Sequence, residues 1–324
     1  MIKYNNPTNI HPLLAAMLAY DDYDYNNNKN VISTTSLMKP TRMLALERTH
    51  MDSDKVIDLE ACIPSVMGSA MHKLLEVSLE DIKDEIWDMF HIDKKDIVIS
   101  REIREERVIP GTDLKLSGKY DVLYKYKDEP ARLADLKTMS VWGTMLSDKE
   151  KTLEYTTQMS IYRWLNQDIE IGDIGEILYW YTDWSKTSAL RDRRYPQSRV
   201  GHKEIALWSL EYTEGYIVDN IKDLVLALET IELTGEPGVA CSPVELWQSD
   251  PKFKYYKPGK QGRISYTRAT KVCDSLEEAQ AVMRSAGGVG DIKEFPAEVK
   301  RCKYCSVTEY CTQYTDMVAK GLIQ

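Results

Sequence analysis

Leu116-Ser-Gly-Lys-Tyr-Asp121-Val-Leu-Tyr124, followed after a turn by Leu133-Ala-Asp135-Leu-Lys137-Thr138, is the stretch on which the reading of this chain depends. Its first part alternates. Leu114, Leu116, Gly118, Tyr120, Val122 and Tyr124 fall on one side; Lys115, Ser117, Lys119, Asp121 and Leu123 fall on the other. That two-residue period predicts a strand. The intervening KYKDEPAR, residues 125–132, has turn composition, with Pro130 as the breaker. A second short strand then carries Asp135 and Lys137, which, two residues apart, project from the same face. A hairpin between the two strands brings Asp121 alongside them. Two carboxylates and an ammonium at a sheet edge suit a divalent cation, whose preferred ligands are carboxylate oxygens. The lysine is then placed to orient water or to offset developing charge. Taken alone, Asp-x-Lys usually marks an exposed ion pair that contributes little, so its meaning depends on the rest of the chain.

At 324 residues the chain is long enough for one large or two modest domains with a substantial core. Hydrophobic residues make up 43% and charged residues 29%, as in a soluble globular protein. A net charge of -9 argues against a generic nucleic-acid coat. It does not exclude an enzyme with a local basic groove, because attraction to phosphate follows the local field, and active-site carboxylates recruit cations that invert the local sign. The apolar piece Ile10 to Tyr20 is too short to span a membrane, and it lacks the basic lead and cleavage site of a signal peptide. An intracellular, cytoplasmic location is therefore expected, which means the host cytoplasm if the chain is phage-encoded. There the six cysteines are thiols or metal ligands rather than disulfides.

Outward from the hairpin, Arg42 to Arg48 reads as a helix, as does the stretch from Pro64 to Leu79. In the latter Val66, Met67, Ala70, Met71, Leu74, Leu75 and Leu79 recur at helical steps, and His72 and Glu76 share a face one turn apart. Ile97 to Ile103 is a strand. Lys149 to Leu165 is a helix with Gln158 and Tyr162 one turn apart, and Ile177 to Asp183 is a fourth, apolar strand. A long helix from Leu207 to Leu233 closes the core. Between the last strand and that helix, Lys186, Arg191, Arg193, Arg194 and Arg199 are interleaved with Trp184 and Tyr195. That composition fits a loop tracking phosphates and stacking bases, although read without context it is first of all a solvated surface loop. Gly235-Glu-Pro-Gly238 marks a boundary. Beyond it the chain has polar and aromatic segments, a short helix from Ser275 to Ser285, and a terminal Cys302-x2-Cys305-x5-Cys311.

Read together, Gly68-x-x-x-His72, Gly118-x-x-Asp121, Asp135-x-Lys137 and Gln158-x-x-x-Tyr162 resemble the PD-(D/E)XK nuclease superfamily. More narrowly they resemble its RecB-type branch, which includes CRISPR adaptation nucleases, AddB-type helicase-nucleases and bacteriophage exonucleases. The resemblance covers roughly residues 31 to 235 and the cysteine tail. It departs from the family name at Tyr120, which stands where a proline would precede Asp121. The resemblance implies an α/β fold with an αβββαβ mixed sheet flanked by helices. It also implies a division into an N-terminal arm (1–30), a nuclease core (31–235) and a C-terminal extension bearing a cysteine cluster (236–324). It implies that His72, Asp121 and Asp135 ligate Mg²⁺ or Mn²⁺ with the Leu136 carbonyl as a further ligand, and that Lys137 sits beside the attacking water. Gln158 and Tyr162 line the site, and Glu76 is a candidate partner for His72. The implied activity is metal-dependent hydrolysis of DNA, foremost as an exonuclease in phage or bacterial recombination, repair or replication, with a possible partner protein from those processes. A structure-specific endonuclease on the same core, or a non-catalytic DNA-binding scaffold, are the alternatives. In that setting the basic loop is expected to contact the substrate strand.

The cysteines carry a separate expectation. Cys-x2-Cys is the usual spacing for two thiolates on one metal, and three thiolates need a fourth partner. Cys241 lies in the same extension as the triplet and is favoured. Cys62 precedes the His-bearing helix, and Cys273 is the outsider. The resemblance favours a [4Fe-4S] cluster, while the residues alone equally allow Zn²⁺. Either would act as a structural staple.

Overall fold

A computed structural model describes residues 2–20, 28–50, 55–146, 148–259 and 261–323. The Asp/Tyr/Asn-rich part of the expected arm (21–27) and Lys260 lie outside them. In chain order the elements are β1 (Ile2–Asn5), α1 (Pro12–Leu18), β2 (Val31–Ser33), α2 (Thr34–Leu37), α3 (Thr41–Thr49) and β3 (Lys55–Asp58). Then come α4 (Ile63–Ser78), α5 (Asp84–Phe90), β4 (Ile97–Val108), β5 (Lys115–Tyr126), β6 (Arg132–Met139), α6 (Val141–Leu146) and α7 (Asp148–Leu165). These are followed by β7 (Ile174–Tyr181), α8 (Lys186–Arg191), β8 (Val200–Ala206) and α9 (Leu210–Thr234). The chain closes with β9 (Lys252–Tyr256), β10 (Lys271–Cys273), α10 (Leu276–Ser285), β11 (Asp291–Phe295) and α11 (Thr312–Ala319).

Two compact units form. The first comprises residues 1–39 and 52–222, the second 40–51 and 223–324. The first unit therefore ends inside α9 rather than at the Gly235–Gly238 turn, and α3 belongs with the second unit. A boundary read from turn residues marks where a helix stops, whereas a unit is defined by what packs together.

The first unit is a mixed six-stranded sheet with helices against it. β5 is its spine. Along one edge it pairs antiparallel with β4 over nearly its whole length. Its other edge is shared: β2 runs parallel to Lys115–Ser117, and β6 runs antiparallel to Val122–Tyr124. β7 joins β6 in parallel and β8 closes the sheet antiparallel to β7. The three-residue β2 and the edge strand β8 were not legible in the sequence, because neither shows a sustained period of two. Leu116, Leu133, Met159, Ile161, Trp164 and Ile177 are among the most deeply buried side chains. They form the layer between β5, β6, β7 and α7.

Gly118 in mid-β5 is a requirement of that layer. A Cβ there would lie 2.6 Å from Leu165 Cδ1, 2.7 Å from Thr34 Oγ1 and 2.9 Å from Tyr162 Cε1. The strand thus lets α7 and α2 approach over the residue three before Asp121. The apolar stripe of α4 is wider than its buried face: Val66, Met71, Leu75 and Leu79 are half-buried, while Met67, Ala70 and Leu74 face solvent. No helix among the described residues is long and apolar enough to cross a membrane.

The second unit contains a small antiparallel sheet, order β10-β9-β11, backed by α10. It also contains the cysteine-bearing tail, with α3 and α11.

Candidate active site

The hairpin register decides the geometry of the acidic residues. Val122 pairs with Ala134, so Asp121 and Asp135 fall on the next rung. The Leu136 amide donates to Asp121 Oδ2 at 2.7 Å, which pins that carboxylate against β6. Helix α4 crosses β6 at Gly68, where a Cβ would sit 3.7 Å from Thr138 Oγ1. One turn further on, His72 Nδ1 reaches Asp121 Oδ2 at 3.0 Å. That contact, offset in part by burial, raises the His72 pKa above its ordinary value.

A third ligand-type side chain arrives from β4. Rungs are formed on either side, Arg101 with Val122 and Ile103 with Tyr120. Glu102 therefore stands opposite Asp121 on the neighbouring strand, and cross-strand neighbours share a face. His72, Glu102 and Asp121 each offer an atom within 4.8 Å of the others. Glu102 has a left-handed backbone, φ 51°. For a residue with a Cβ this costs about 1–3 kcal/mol and is found mostly at functional sites. Its carboxylate is held by Lys119 in an ion pair. The sequence offered no signal for Glu102 beyond the strand it lies in, since only the β4–β5 register sets it against Asp121.

Asp135 stands beside this trio rather than within it. It is only 3% exposed, and its Oδ2 has a single polar partner among the described residues, an ion contact with Lys137 Nζ at 2.7 Å. Burial, together with the charge of Asp121, pushes the Asp135 pKa up to about 6 in spite of Lys137. Burial works to lower the Lys137 pKa, but the charge and contact of Asp135 outweigh it and the net shift is upward. Lys137 is therefore an ammonium near neutral pH and acts as a donor, not a base. Its Nζ lies 3.0 Å from Gln158 Oε1, and Gln158 Nε2 donates to the Tyr162 hydroxyl at 2.9 Å. The chain Asp135–Lys137–Gln158–Tyr162 thus runs from β6 onto one face of α7. Glu76 pairs with Lys73, three residues back on the same helix, at 2.7 Å.

The basic stretch after β7 is partly ordered. Lys186–Arg191 forms helix α8, with Ser185 Oγ accepting from the Ser188 amide as its cap. Lys186, Arg191, Arg193 and Arg199 are exposed. Arg194 is engaged by its near neighbour Asp192 at 3.0 Å. Tyr195 is buried, its hydroxyl accepting from the Ser185 amide at 3.0 Å, so it is a packing residue and not a base-stacking one. Arg199 lies over the Trp184 ring.

In the second unit, Cys241, Cys302, Cys305 and Cys311 line one small cavity of about 30 Å³. Burial pushes the Cys241 thiol up to about 12, and raises Cys302 and Cys305 as well. Arg42 borders the same cavity. It is 5% exposed, and its Nε donates to Cys311 Sγ at 3.2 Å. Its other nitrogens bind the Val239 carbonyl, Glu236 and Thr312. Cys62 and Cys273 are not among the lining residues. The Cys62 thiol points to the Asp58 carbonyl at 3.7 Å, and Cys273 is buried on β10.

A family model described as the PD-(D/E)XK nuclease superfamily matches residues 83–312. The chain belongs to that superfamily and is a nuclease. The match takes in Asp121, Asp135, Lys137 and the cysteine triplet; His72 precedes it. Among solved structures, the chain is similar to SSO0001 (17% identity, TM-score 0.42, 65% of this chain and 84% of that one). It is also similar to a phage-related exonuclease from Haemophilus somnus 129PT (16%, TM-score 0.28, 48% and 70%). A third is the alkaline exonuclease LHK-Exo from Laribacter hongkongensis in complex with dAMP (13%, TM-score 0.34, 68% and 96%). These likenesses are partial, and membership rests on the family model. No curated protein matches the chain at a significant level.

Proposed function

We propose that the protein is a divalent-metal-dependent deoxyribonuclease acting as an exonuclease in bacteriophage or bacterial DNA recombination, repair or replication. The observation that carries this is the convergence of His72, Glu102 and Asp121 beside the buried Asp135–Lys137 pair. The donor set fits a hard cation, since two carboxylates and an imidazole present ligand atoms together while a third carboxylate stands adjacent. His72, Glu102, Asp121 and Asp135 would hold Mg²⁺ or Mn²⁺, with the Leu136 carbonyl as a further ligand. When bound, the ion supplies an acidified water and neutralises phosphoryl charge. Lys137, fixed by Asp135 and Gln158, presents an N–H to a water or a non-bridging phosphate oxygen. Tyr162 holds Gln158 in line, and so holds Lys137. The exposed Lys186, Arg191, Arg193 and Arg199 would contact the strand, with Arg194 already engaged by Asp192.

End-labelled linear duplex, single-stranded and closed circular DNA, incubated with Mg²⁺ or Mn²⁺, test this reading. The wild type should release nucleotides from linear ends and leave the circle intact, and Asp135→Ala or Lys137→Ala should release none while remaining folded. Full activity in Asp135→Ala sinks the site. Cutting of the circle moves the assignment to an endonuclease. Binding without turnover in Mn²⁺ moves it to a scaffold.

The four cysteines around one cavity support a metal staple in the second unit. Tetrahedral zinc, with Zn–S near 2.3 Å, draws its sulfurs to within about 3.8 Å of one another. Among the described residues no three of these sulfurs lie within 4.8 Å of one another. The four thiols by themselves suit either group, and the resemblance favours the [4Fe-4S] cluster. Arg42, donating to Cys311 Sγ, would hold that sulfur in place.

A further inference from the structure

We propose that the open face of the β10-β9-β11 sheet is a second DNA-contacting surface, a platform for one unpaired strand. The proposal rests on the nuclease reading for its choice of DNA as ligand. The sheet has two unlike faces. Tyr255 and Cys273 point to the side covered by α10 and are fully buried. The other face carries Lys252, Lys254, Val272, Asp291, Lys293, Phe295 and the buried Tyr256, because cross-strand partners share a face and Lys254 pairs with both Val272 and Lys293. On it Phe295 is 36% exposed and Tyr266, from the β9–β10 connection, 46% exposed. Residues 250–271 hold seven Lys or Arg and one acid, in a chain whose net charge is -9.

The disposition of these charges is the telling feature. Lys254 and Lys293 are directly opposite each other on adjacent strands, an arrangement that is unfavourable for like charges. Neither makes an ion pair among the described residues. Each instead lies over an aromatic ring: Lys254 Nζ is 3.7 Å from the Phe295 centroid, and Lys293 Nζ 3.5 Å from that of Tyr266. Arg263 and Arg268, exposed on the same connection, also have no carboxylate partner among the described residues. The nearby acids are taken up by other side chains of this surface and not by Lys254 or Lys293. Asp274 pairs with Lys252 at 2.7 Å, and Asp291 accepts from the Tyr266 hydroxyl at 2.8 Å. Tyr266 is further braced edge-on against Tyr256.

Lys254, Lys293, Arg263 and Arg268, none with a carboxylate partner among the described residues, beside the exposed rings of Phe295 and Tyr266 match a polyanion that also has flat faces to stack. A single strand has both, whereas in a duplex the bases are already stacked on each other. An acidic peptide would use the charges but leave the rings idle.

The test uses the full chain without added divalent metal and a fluorescent oligothymidylate of about 20 nucleotides, with anisotropy read across a salt series. Lys254→Gln/Lys293→Gln should weaken binding roughly tenfold. It should also make the slope of log affinity against log salt shallower by about 1.4, at about 0.7 per phosphate contact on a single strand. Phe295→Ala should weaken binding about fivefold or more with the slope unchanged, as loss of stacking alone does. Lys83→Gln/Lys94→Gln, the same charge change in the first unit, should leave the slope as it is. An unchanged slope in the Lys254/Lys293 variant, or an equal change in both doubles, overturns the proposal. Should that variant fail to fold, photo-cross-linking of a bromodeoxyuridine oligonucleotide to the wild type decides. Adducts within residues 252–295 support the platform, and adducts only elsewhere overturn it. A wild type that digests DNA but shows no platform effect loses the platform and keeps the nuclease reading. One that binds through the platform but never cuts loses the nuclease reading and keeps the platform.

Discussion

Replacing Gly118 by alanine tests how the core supports the site. The added methyl meets Leu165 Cδ1, Thr34 Oγ1 and Tyr162 Cε1, all within 3 Å and all on side chains that are themselves buried. Three close neighbours from two helices leave no common direction of retreat. Overpacking of this kind costs about 1–3 kcal/mol, which for a unit of this size lowers the melting temperature by roughly 2–12 °C. The displacement of Tyr162 has a second consequence. Tyr162 accepts from Gln158, and Gln158 accepts from Lys137, so a shift of α7 is passed to the ammonium. A misplacement near 1 Å at a catalytic group costs about 100-fold in rate. Thermal melting by circular dichroism and the linear-DNA digestion assay, run on the same preparation, read both effects. Leu165→Val in the Gly118→Ala background removes one of the three collisions and should recover part of the melting temperature. A Gly118→Ala protein that melts with the wild type and cuts at the wild-type rate would refute the argument.

Glu102→Gln should weaken Mn²⁺ binding, read by calorimetry, about tenfold or more without lowering the melting temperature; unchanged affinity would remove Glu102 from the ligand set. Anaerobic purification should give a brown protein absorbing near roughly 400 nm, and Cys302→Ser should lose that colour and melt lower. A colourless, metal-free wild type with unchanged melting in the variant would dispose of the staple. Arg42→Gln removes a buried guanidinium and its contacts to Glu236 and Cys311, and should destabilise the second unit by about 2–3 kcal/mol. Measured as the rate of cluster or zinc loss to a chelator, it should also release metal faster, with Arg42→Lys intermediate. Neutralising Arg191 and Arg193 together should flatten the salt dependence of DNA binding, whereas neutralising Arg194, already engaged by Asp192, should change it little.

What the amino-acid sequence by itself determined is what lies within a few residues. The period of two in β5, the turn at Pro130 and the two-residue spacing of Asp135 and Lys137 place the hairpin and the side of β6 that carries both charged groups. The one-turn spacings set His72 with Glu76 on one face of α4 and Gln158 with Tyr162 on one face of α7. Cysteine spacing marked the triplet. These are local patterns, written by backbone geometry that repeats every two residues or every turn. What only the tertiary structure decided depends on contacts between distant residues. Glu102 joins the site through the register of β4 on β5, with no local mark in its own strand. Tyr195 and Arg194 read as nucleic-acid contacts in sequence, but one is buried and the other shares an ion pair with its neighbour Asp192. Cys241 and not Cys62 lines the cavity of the triplet. Arg42 reaches Cys311 across 269 positions of chain. Register and burial are settled by the packing of the whole unit, and a side chain's charge has meaning only once it is known which groups stand within a few ångströms of it.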